Sequence, residues 1–185
     1  MNNGFGGTVG PGQVISLTQR SARRREYEMR AGDCALGWLG WRPGRRSYAR
    51  AEGREIGPIE LASKGRRVVV ARVASAETLA TVDRERGGSV IHAIEGHTLR
   101  WERTALRNHW AMREQAGTVL SIAASQGLLR SSVQISIERT MAEQTAVLLC
   151  LIGGYLALSE LRYKADLAAA VRNRRGEWRI GRRSP

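Results

Sequence analysis

The side chains best suited to holding a metal ion are three histidines, His92, His97 and His109. His92 and His97 flank a predicted turn at Gly96, which would bring their imidazoles near each other. A zinc ion takes four protein ligands, or three and a water. No cysteine stands at ligand spacing beside this histidine pair. The sequence therefore predicts neither a metal site nor another cofactor.

The glycine-rich segment GFGGTVGPG, residues 4–12, does not fit the phosphate-binding loop of an enzyme. A P-loop follows a strand and carries a lysine near its end, and this segment has neither feature. The serines lack the strand–turn–helix context of a nucleophile elbow. No paired carboxylates are indicated either. We therefore expect a protein that is not an enzyme.

The charge of the chain is strongly unbalanced, with 30 basic and 17 acidic residues and a formal net charge of +13. Lys64 and Lys164 are the only lysines, so the positive charge is almost entirely arginine. Such a balance favours nucleic acid, anionic lipid headgroups or an acidic protein as a partner. A bias toward arginine also arises from genome composition without any binding role.

Two predicted hairpin turns concentrate this charge and form the candidate site for an anionic headgroup or another phosphate. Arginine suits such a site because its planar fork binds two phosphate oxygens at once. Clusters near the two termini are predicted to act as arms that add unspecific affinity for nucleic acid. A solvated surface is the alternative for every cluster. The candidate site comprises Arg45, Arg46, Lys64, Arg66 and Arg67.

Four tryptophans that precede the apolar run lie close to arginines: Trp38, Trp41, Trp101 and Trp110. Exposed aromatic rings beside arginine bind single-stranded nucleic acid by stacking, and tryptophan also prefers the membrane interface. Burial in a core is the commoner fate of such rings. Trp101 is in phase with Leu99 and is predicted to be core. Trp38 and Trp41 are three apart and would face opposite sides of a strand.

The segments that must position these side chains alternate between apolar and polar residues from 26 to 139. A period of two is typical of strands with one buried face. Turn signals recur, many of them at the spacing of an antiparallel sandwich or barrel, and longer gaps around Ala76 and Leu106 leave room for a turn or a short helix. The clearest alternations place on one face Tyr27 and Met29; Leu99 and Trp101; and Val133, Ile135 and Ile137.

An apolar run follows this β body, over residues 140–161. Thr140 and Glu143 match a capping box that would begin a helix. Residues 146–158 are apolar on every side, a pattern that favours lipid or a closed interior. A membrane span needs about 20 apolar residues, more than this run supplies. We therefore predict a helix surrounded by sheet, with a membrane anchor at 145–161 as the alternative.

Short antiparallel strands followed by one apolar helix make an arrangement that resembles the tubby C-terminal-like superfamily. That family includes tubby proteins, phospholipid scramblases and LURP-one-related proteins. The strands from Tyr27 to Ile137 and the helix AEQTAVLLCLIGGYLALSEL carry the resemblance. It implies a closed antiparallel β-barrel wrapped around the C-terminal helix. It also implies that Gly153 and Gly154 lie where strands approach the helix closely.

The chain departs from the family in three respects. Fewer strands are recognised than the family's twelve, and a basic tail follows the helix. Nothing matches the acidic calcium-binding segment of the scramblases, which makes the LURP-one-related proteins the closer match. The predicted organisation is a flexible Gly-rich and basic arm over 1–25, a tubby-like barrel over 26–161, and a basic, partly helical tail over 162–185.

The function that the resemblance and the charge together predict is a non-catalytic binding module. It would recognise anionic lipid headgroups or an acidic partner as a peripheral rather than an integral membrane protein. The alternatives are a nucleic-acid-binding protein and a protein anchored by the 145–161 segment. The chain shows no signal-peptide pattern, and Cys34 and Cys150 suggest no disulfide framework. We therefore expect a cytoplasmic location, at or near the membrane.

Overall fold

The computed structural model describes residues 7–20, 25–41, 48–54, 56–93, 96–127 and 130–180. Twelve antiparallel strands close into a barrel, and one long helix at the C-terminal end runs through it. The predicted fold class, an antiparallel β-barrel wrapped around a single apolar helix, is confirmed.

The barrel strands follow one another around the wall in chain order, from β2 to β13, and β13 pairs with β2 to close it. A short pair, β1 and β14, lies outside the wall at the point where the helix begins. The elements are β1 (Thr8–Val9), β2 (Val14–Gln19), β3 (Glu26–Ala31), β4 (Cys34–Trp41), β5 (Tyr48–Gly53), β6 (Gly57–Lys64), β7 (Arg67–Arg72), β8 (Thr78–Glu85), β9 (Gly88–Ala93), β10 (Thr98–Arg103), β11 (His109–Glu114), β12 (Gly117–Gln126), β13 (Ser131–Ile137), β14 (Met141–Ala142) and α1 (Glu143–Ile180).

The core lies between the inner face of the strands and the helix. The alternation predicted from the sequence is confirmed, because the apolar members of the three clearest segments are all buried. Leu99, Met29 and Ile135 have no exposed surface. Every side chain of α1 from Thr145 to Leu158 is buried as well. The helix is apolar on all sides because the strands surround it on all sides.

The two helix glycines face the barrel wall closely, as the resemblance implied. A Cβ added at Gly154 would lie 2.7 Å from Leu17 Cδ2, and one added at Gly153 would lie 3.1 Å from Met112 Cε. Larger residues at these positions would displace side chains of β2 and β11.

The start of α1 differs from the predicted capping box. Thr140 precedes β14, and the helix begins only at Glu143. The backbone N–H of Glu143 donates to the carbonyl of Gly7 at 3.3 Å, so Thr140 does not cap it. The pairing of β14 with β1 holds residues 141–142 extended and delays the helix. The capping-box prediction was therefore wrong.

Within the described part of the chain, one helical stretch, Glu143–Ala168, has the length and apolar character to cross a membrane. In its apolar window 83% of the residues are buried inside the barrel. The helix continues to Ile180, through much of the segment predicted as a partly helical tail.

The predicted N-terminal arm, residues 1–25, contains a strand that the sequence reading left out. Val14–Gln19 forms β2, which pairs with β3 on one side and β13 on the other. Ile15 and Leu17 alternate with Ser16 and Thr18, the period-two pattern of a half-buried strand. The arm therefore does not extend to residue 25. β2 and β5 (Tyr48–Gly53), a second strand that was not predicted, bring the barrel to twelve strands.

The two long gaps without a turn signal, around Ala76 and Leu106, both contain turns. Ala76 and Asn108 adopt φ angles of 55° and 58°, a region that usually selects glycine. Because neither position carries glycine, no ordinary turn signal marks either place. No helix replaces a turn at either place.

Candidate anion-binding face at the helix exit

The helix leaves the barrel at the end that carries the β2–β3, β6–β7, β8–β9, β10–β11 and β12–β13 turns. Hairpin strands alternate in direction, so every second turn falls on the same end. Gln19 and Ser131 line a cavity there together with Leu161 and Arg162 of α1. We call this end of the barrel, with helix residues 158–168, the exit face.

The exit face is predominantly basic. Its turns and strand ends carry Arg20, Arg25, Lys64, Arg66, Arg67, Arg84, Arg86, Arg103, Arg107 and Arg130. Some of its carboxylates already pair within the fold. Glu28 accepts a hydrogen bond from Arg20 at 3.0 Å, and Asp83 accepts two from Arg67. The hairpin topology, rather than sequence proximity, brings these charges together.

The predicted site residues divide into three groups. Lys64 and Arg66 lie at the β6–β7 turn with exposed side chains, and no carboxylate partner is seen for either among the residues described. Arg67 is bound by Asp83, at 2.6 and 3.2 Å. Arg45 and Arg46 lie outside the described residues. The structure therefore brings Lys64 and Arg66 to the exit face as available cations and gives Arg67 a structural partner.

The Arg67–Asp83 pair is strong enough to shift both pKa values. The hydrogen bond from Arg67 lowers the pKa of Asp83, and the same bond raises the pKa of Arg67. His92 lies 4.0 Å from the other Asp83 oxygen. An incoming phosphate would have to compete with Asp83 for Arg67, whereas Lys64 and Arg66 impose no such competition.

Two tyrosine hydroxyl groups at the helix exit, those of Tyr27 and Tyr155, lie near three further arginines. The Tyr155 ring stacks on Trp41, with ring centres 5.6 Å apart. Burial raises the pKa of Tyr155, and the charge of Arg84 opposes that rise. Burial likewise raises the pKa of Tyr27, opposed by a hydrogen bond with Ser131 and by the nearby charges of Arg25 and Arg162. These guanidinium groups are thus close enough to act electrostatically on the hydroxyls at the helix exit.

A pair of buried tryptophans fixes the helix at the same end. Trp101 and Trp110 stack with ring centres 5.7 Å apart and planes 17° apart. Each indole donates its N–H to a different oxygen of Glu160, at 2.9 Å. The ammonium of Lys164 lies 5.6 Å from the centre of the Trp110 ring, within cation–π range.

The positions of the tryptophans decide between the two predicted alternatives, an exposed stacking surface and burial in the core. Trp101 is core, as predicted, and so is Trp110, so neither ring offers a surface for stacking a base. Trp38 and Trp41 do face opposite sides of β4. Trp38 donates to Glu52 on the outside at 3.2 Å, whereas Trp41 packs against the core.

Three cavities adjoin one another around the emerging helix, with volumes of about 450, 270 and 360 Å³. The first and second share Arg84, Ser159 and Tyr163. The second and third share Trp41 and Arg162. Together they form an arginine-lined groove between the barrel rim and the helix.

The histidines do not converge. His97 Nδ1 lies 2.7 Å from Glu114 at the opposite end of the barrel, and His92 lies on the wall near Asp83. Across the described ranges, no group of three or more His, Cys, Asp or Glu side chains is placed to hold a metal ion.

Among the cations that line these cavities, sequence reasoning missed Arg84, Arg103 and Arg162, and it assigned Arg25 to an N-terminal arm. The Gly87–Gly88 turn was recognised, and Arg84 and Arg86 stand just before it. Every second turn lies at the same end of the barrel, so basic residues beside each of these turns would have indicated the exit-face cations. Arg162 required knowing where the helix emerges.

Comparison with known proteins supports the architecture. No protein-family model matches the chain, and no curated protein matches it. A similar solved structure is the X-ray structure of a protein from Arabidopsis thaliana, with a TM-score of 0.50 and 12% sequence identity. The likeness covers 82% of this chain and 92% of that one. At this identity it shows a shared fold, a barrel with a C-terminal helix.

Proposed function

We propose that the protein is a tubby-like, LURP-one-related binding module without catalytic activity, and that its exit face binds phosphate-bearing lipid headgroups. The observation that carries the proposal is the convergence of arginines from separate turns around the emerging helix. Guanidinium groups suit phosphate because they form paired hydrogen bonds with its oxygens. The proposed function requires no cofactor.

Exposed apolar side chains on the same face favour a membrane over nucleic acid. Leu106 in the β10–β11 turn is 64% exposed, and Tyr163 and Leu167 of the helix are 70% and 54% exposed. Peripheral membrane proteins combine such side chains with cations, since the former enter the interface while the latter meet anionic lipids. Base stacking, by contrast, has no support from Trp101 and Trp110, which are buried.

Attachment would be peripheral. Because the barrel encloses the apolar part of the helix, insertion of that segment into lipid would require the barrel to open. Binding through the exit face leaves the core intact. Purified protein should therefore stay in solution without detergent.

The test is flotation of detergent-free protein with liposomes at physiological salt. Vesicles containing phosphoinositide are compared with phosphatidylserine vesicles of equal total charge. The double variant Lys64→Gln/Arg66→Gln removes two exit-face cations. Arg54→Gln/Arg100→Gln removes the same charge from the opposite end and the outer wall, where both side chains are exposed. We expect preferential flotation with phosphoinositide, a several-fold loss in the first variant and little change in the control.

Three outcomes contradict parts of this proposal. Equal flotation with both kinds of vesicle would show that binding depends on charge alone and that the face does not select phosphoinositide. Equal losses in the two double variants would remove the exit face from the proposal. Without any flotation the lipid ligand is rejected, and a steep fall of nucleic-acid binding with salt would then favour the alternative partner.

A further inference from the structure

The first cavity of the exit face is lined by apolar as well as charged side chains. Binding of a phosphate headgroup alone does not require the apolar ones. We call this cavity the Arg84 groove. It measures about 450 Å³ and lies between the β8–β9 and β10 rim and the helix. Its lining residues are Arg84, Glu85, Gly87, Gly88, Ser89, Trp101, Arg103, Leu156, Ser159, Glu160 and Tyr163.

The base of the groove is apolar. Trp101 and Leu156 are buried, at 2% and 4% exposure, and belong to the core. Tyr163 stands on the helix at 70% exposure and lines the same cavity. A flat apolar group entering beside Tyr163 would exclude water from the exposed tyrosine ring, which is favourable. Its other face would pack on the apolar base of the groove.

The rim of the groove is cationic, since Arg84 and Arg103 both line it. Arg84 also lines the second cavity, together with Tyr155 and Ser159 of the helix. Of the two carboxylates in the lining, Glu160 accepts an indole N–H on each oxygen and is held in place by them. Glu160 and Glu85 both keep their negative charge, but neither pairs with Arg84 or Arg103 among the residues described, so both guanidinium groups are available to a phosphate.

The Gly87–Gly88 turn leaves one side of the groove without side chains. Gly87 adopts a φ of 96°, which favours glycine. A Cβ at Gly88 would lie 2.6 Å from the Trp101 carbonyl oxygen, so this position has no room for a side chain. Neither glycine therefore places a side chain in the groove that both of them line.

We propose that the Arg84 groove binds a small phosphate monoester that carries a flat apolar group. The phosphate pairs with Arg84 and Arg103, and the apolar group lies between Tyr163 and Leu156. The inference rests on the proposed function in taking the exit face as anion-binding, and it adds an apolar requirement. The ligand is either a soluble phosphate ester or the headgroup-proximal part of a lipid.

The experiment is calorimetric titration of the full chain, without lipid, at physiological salt. The probes are 1-naphthyl phosphate, inorganic phosphate and 1-naphthol. We expect 1-naphthyl phosphate to bind at least tenfold more tightly than either fragment. Arg84→Gln should weaken its binding tenfold or more. Arg100→Gln, an exposed cation on the outer wall of β10 that does not line the groove, is the matched control and should leave binding unchanged.

Tyr163→Ser tests the apolar contact at an exposed position whose change spares the core. It should reduce 1-naphthyl phosphate to the affinity of inorganic phosphate and leave inorganic phosphate unaffected. Equal affinities for naphthyl phosphate and inorganic phosphate in the unmodified protein would overturn the inference. So would a Tyr163→Ser variant that retains full affinity.

The liposome experiment separates this inference from the proposed function. Binding of naphthyl phosphate without flotation would support the Arg84 groove as a binding site. It would identify the ligand as a soluble phosphate ester and reject the lipid. Flotation without naphthyl phosphate binding would reject the proposed ligand site in the groove and leave the proposed lipid-binding function standing. Binding and flotation that are both lost in Arg84→Gln would support a lipid as the occupant.

Discussion

At the scale of single residues, Glu160 is the most constrained polar group at the helix exit. Both of its carboxylate oxygens accept indole N–H groups, from Trp101 and Trp110. Both tryptophans are buried, so their N–H groups have no ready access to water. A buried donor without an acceptor costs about 1–3 kcal/mol. Glu160 therefore holds the helix in register with β10 and β11.

Replacing Glu160 by alanine should lower the free energy of unfolding by about 2–4 kcal/mol, since two buried donors lose their acceptor. Glu160→Gln keeps one acceptor oxygen and should cost roughly half as much. Urea unfolding followed by tryptophan fluorescence measures both. Glu138→Gln, at an exposed position, is the control. Identical midpoints for Glu160→Ala and the control would contradict the role assigned to this carboxylate.

The two cysteines should react very differently with thiol reagents. Burial raises the pKa of Cys150 to about 12, whereas Cys34 is half-buried. The thiolate is the reactive form, so at pH 8 the Cys150 thiol stays protonated as well as enclosed. Labelling at pH 8 should modify Cys34 alone in the folded protein and both cysteines in urea. Equal labelling rates for Cys34→Ala and Cys150→Ala under native conditions would show that the helix is not enclosed.

At the scale of elements, glycines fix how closely strands and helix approach. A Cβ at Gly37 would collide with the backbone carbonyl oxygen of Glu52 on β5, and backbone cannot move aside cheaply. At Gly153 the nearest atom is the flexible end of Met112, 3.1 Å away. The same added methyl group should therefore be far more destabilising in the wall than in the helix.

Gly37→Ala should prevent folding or lower stability by at least about 3 kcal/mol, because relief of the clash requires β4 and β5 to separate. Gly153→Ala should stay within about 1 kcal/mol, since the gain in helix propensity offsets the displacement of Met112. Thermal unfolding by circular dichroism compares the two. A Gly37→Ala protein as stable as Gly153→Ala would place β4 and β5 farther apart than they are here.

The wall of the barrel was predictable because alternation is a local signal. Tyr27, Leu99 and Ile135 each lie in a segment whose apolar residues recur at every second position, which is enough to assign their face. The β2 strand was missed although Ile15 and Leu17 alternate equally well. Its flanks, glycine-rich before and arginine-rich after, resemble a flexible arm. The missed turns at Ala76 and Asn108 lacked the glycine that their φ angles favour.

The candidate site was predictable only in part, because its charges meet through barrel closure. Lys64 and Arg66 stand in one turn and were found from sequence. Arg84 and Arg162 belong to separate elements, 78 positions apart in the numbering, and line one cavity only because the helix emerges beside the β8–β9 rim. Local sequence patterns do not indicate which residues distant in the chain become neighbours in the fold.

At the scale of the whole molecule, closure of the barrel depends on the strand nearest the N-terminus. β2 pairs with β13 over Val14–Thr18 and with β3 over Ile15–Gln19. Without it, β3 and β13 would each expose an unpaired edge, and apolar helix surface that Leu17 covers would meet water. Exposed edges of this kind promote aggregation. The first part of the chain is therefore integral to the fold and is not a dispensable arm.

Truncation tests this directly. A chain beginning at Arg25 should aggregate or fail to unfold cooperatively. A chain beginning at Gly7, which retains every strand described, should unfold cooperatively and elute as the full chain does. A synthetic peptide of residues 7–20 should restore solubility to the shorter chain, because a strand can be supplied in trans to an open sheet edge. The same peptide with Ile15→Ser and Leu17→Ser should not, since it loses the buried face while keeping the backbone. Size-exclusion chromatography after refolding with each peptide gives the readout. If the chain beginning at Arg25 eluted like the longer one and unfolded at the same urea concentration, β2 would contribute nothing to closure.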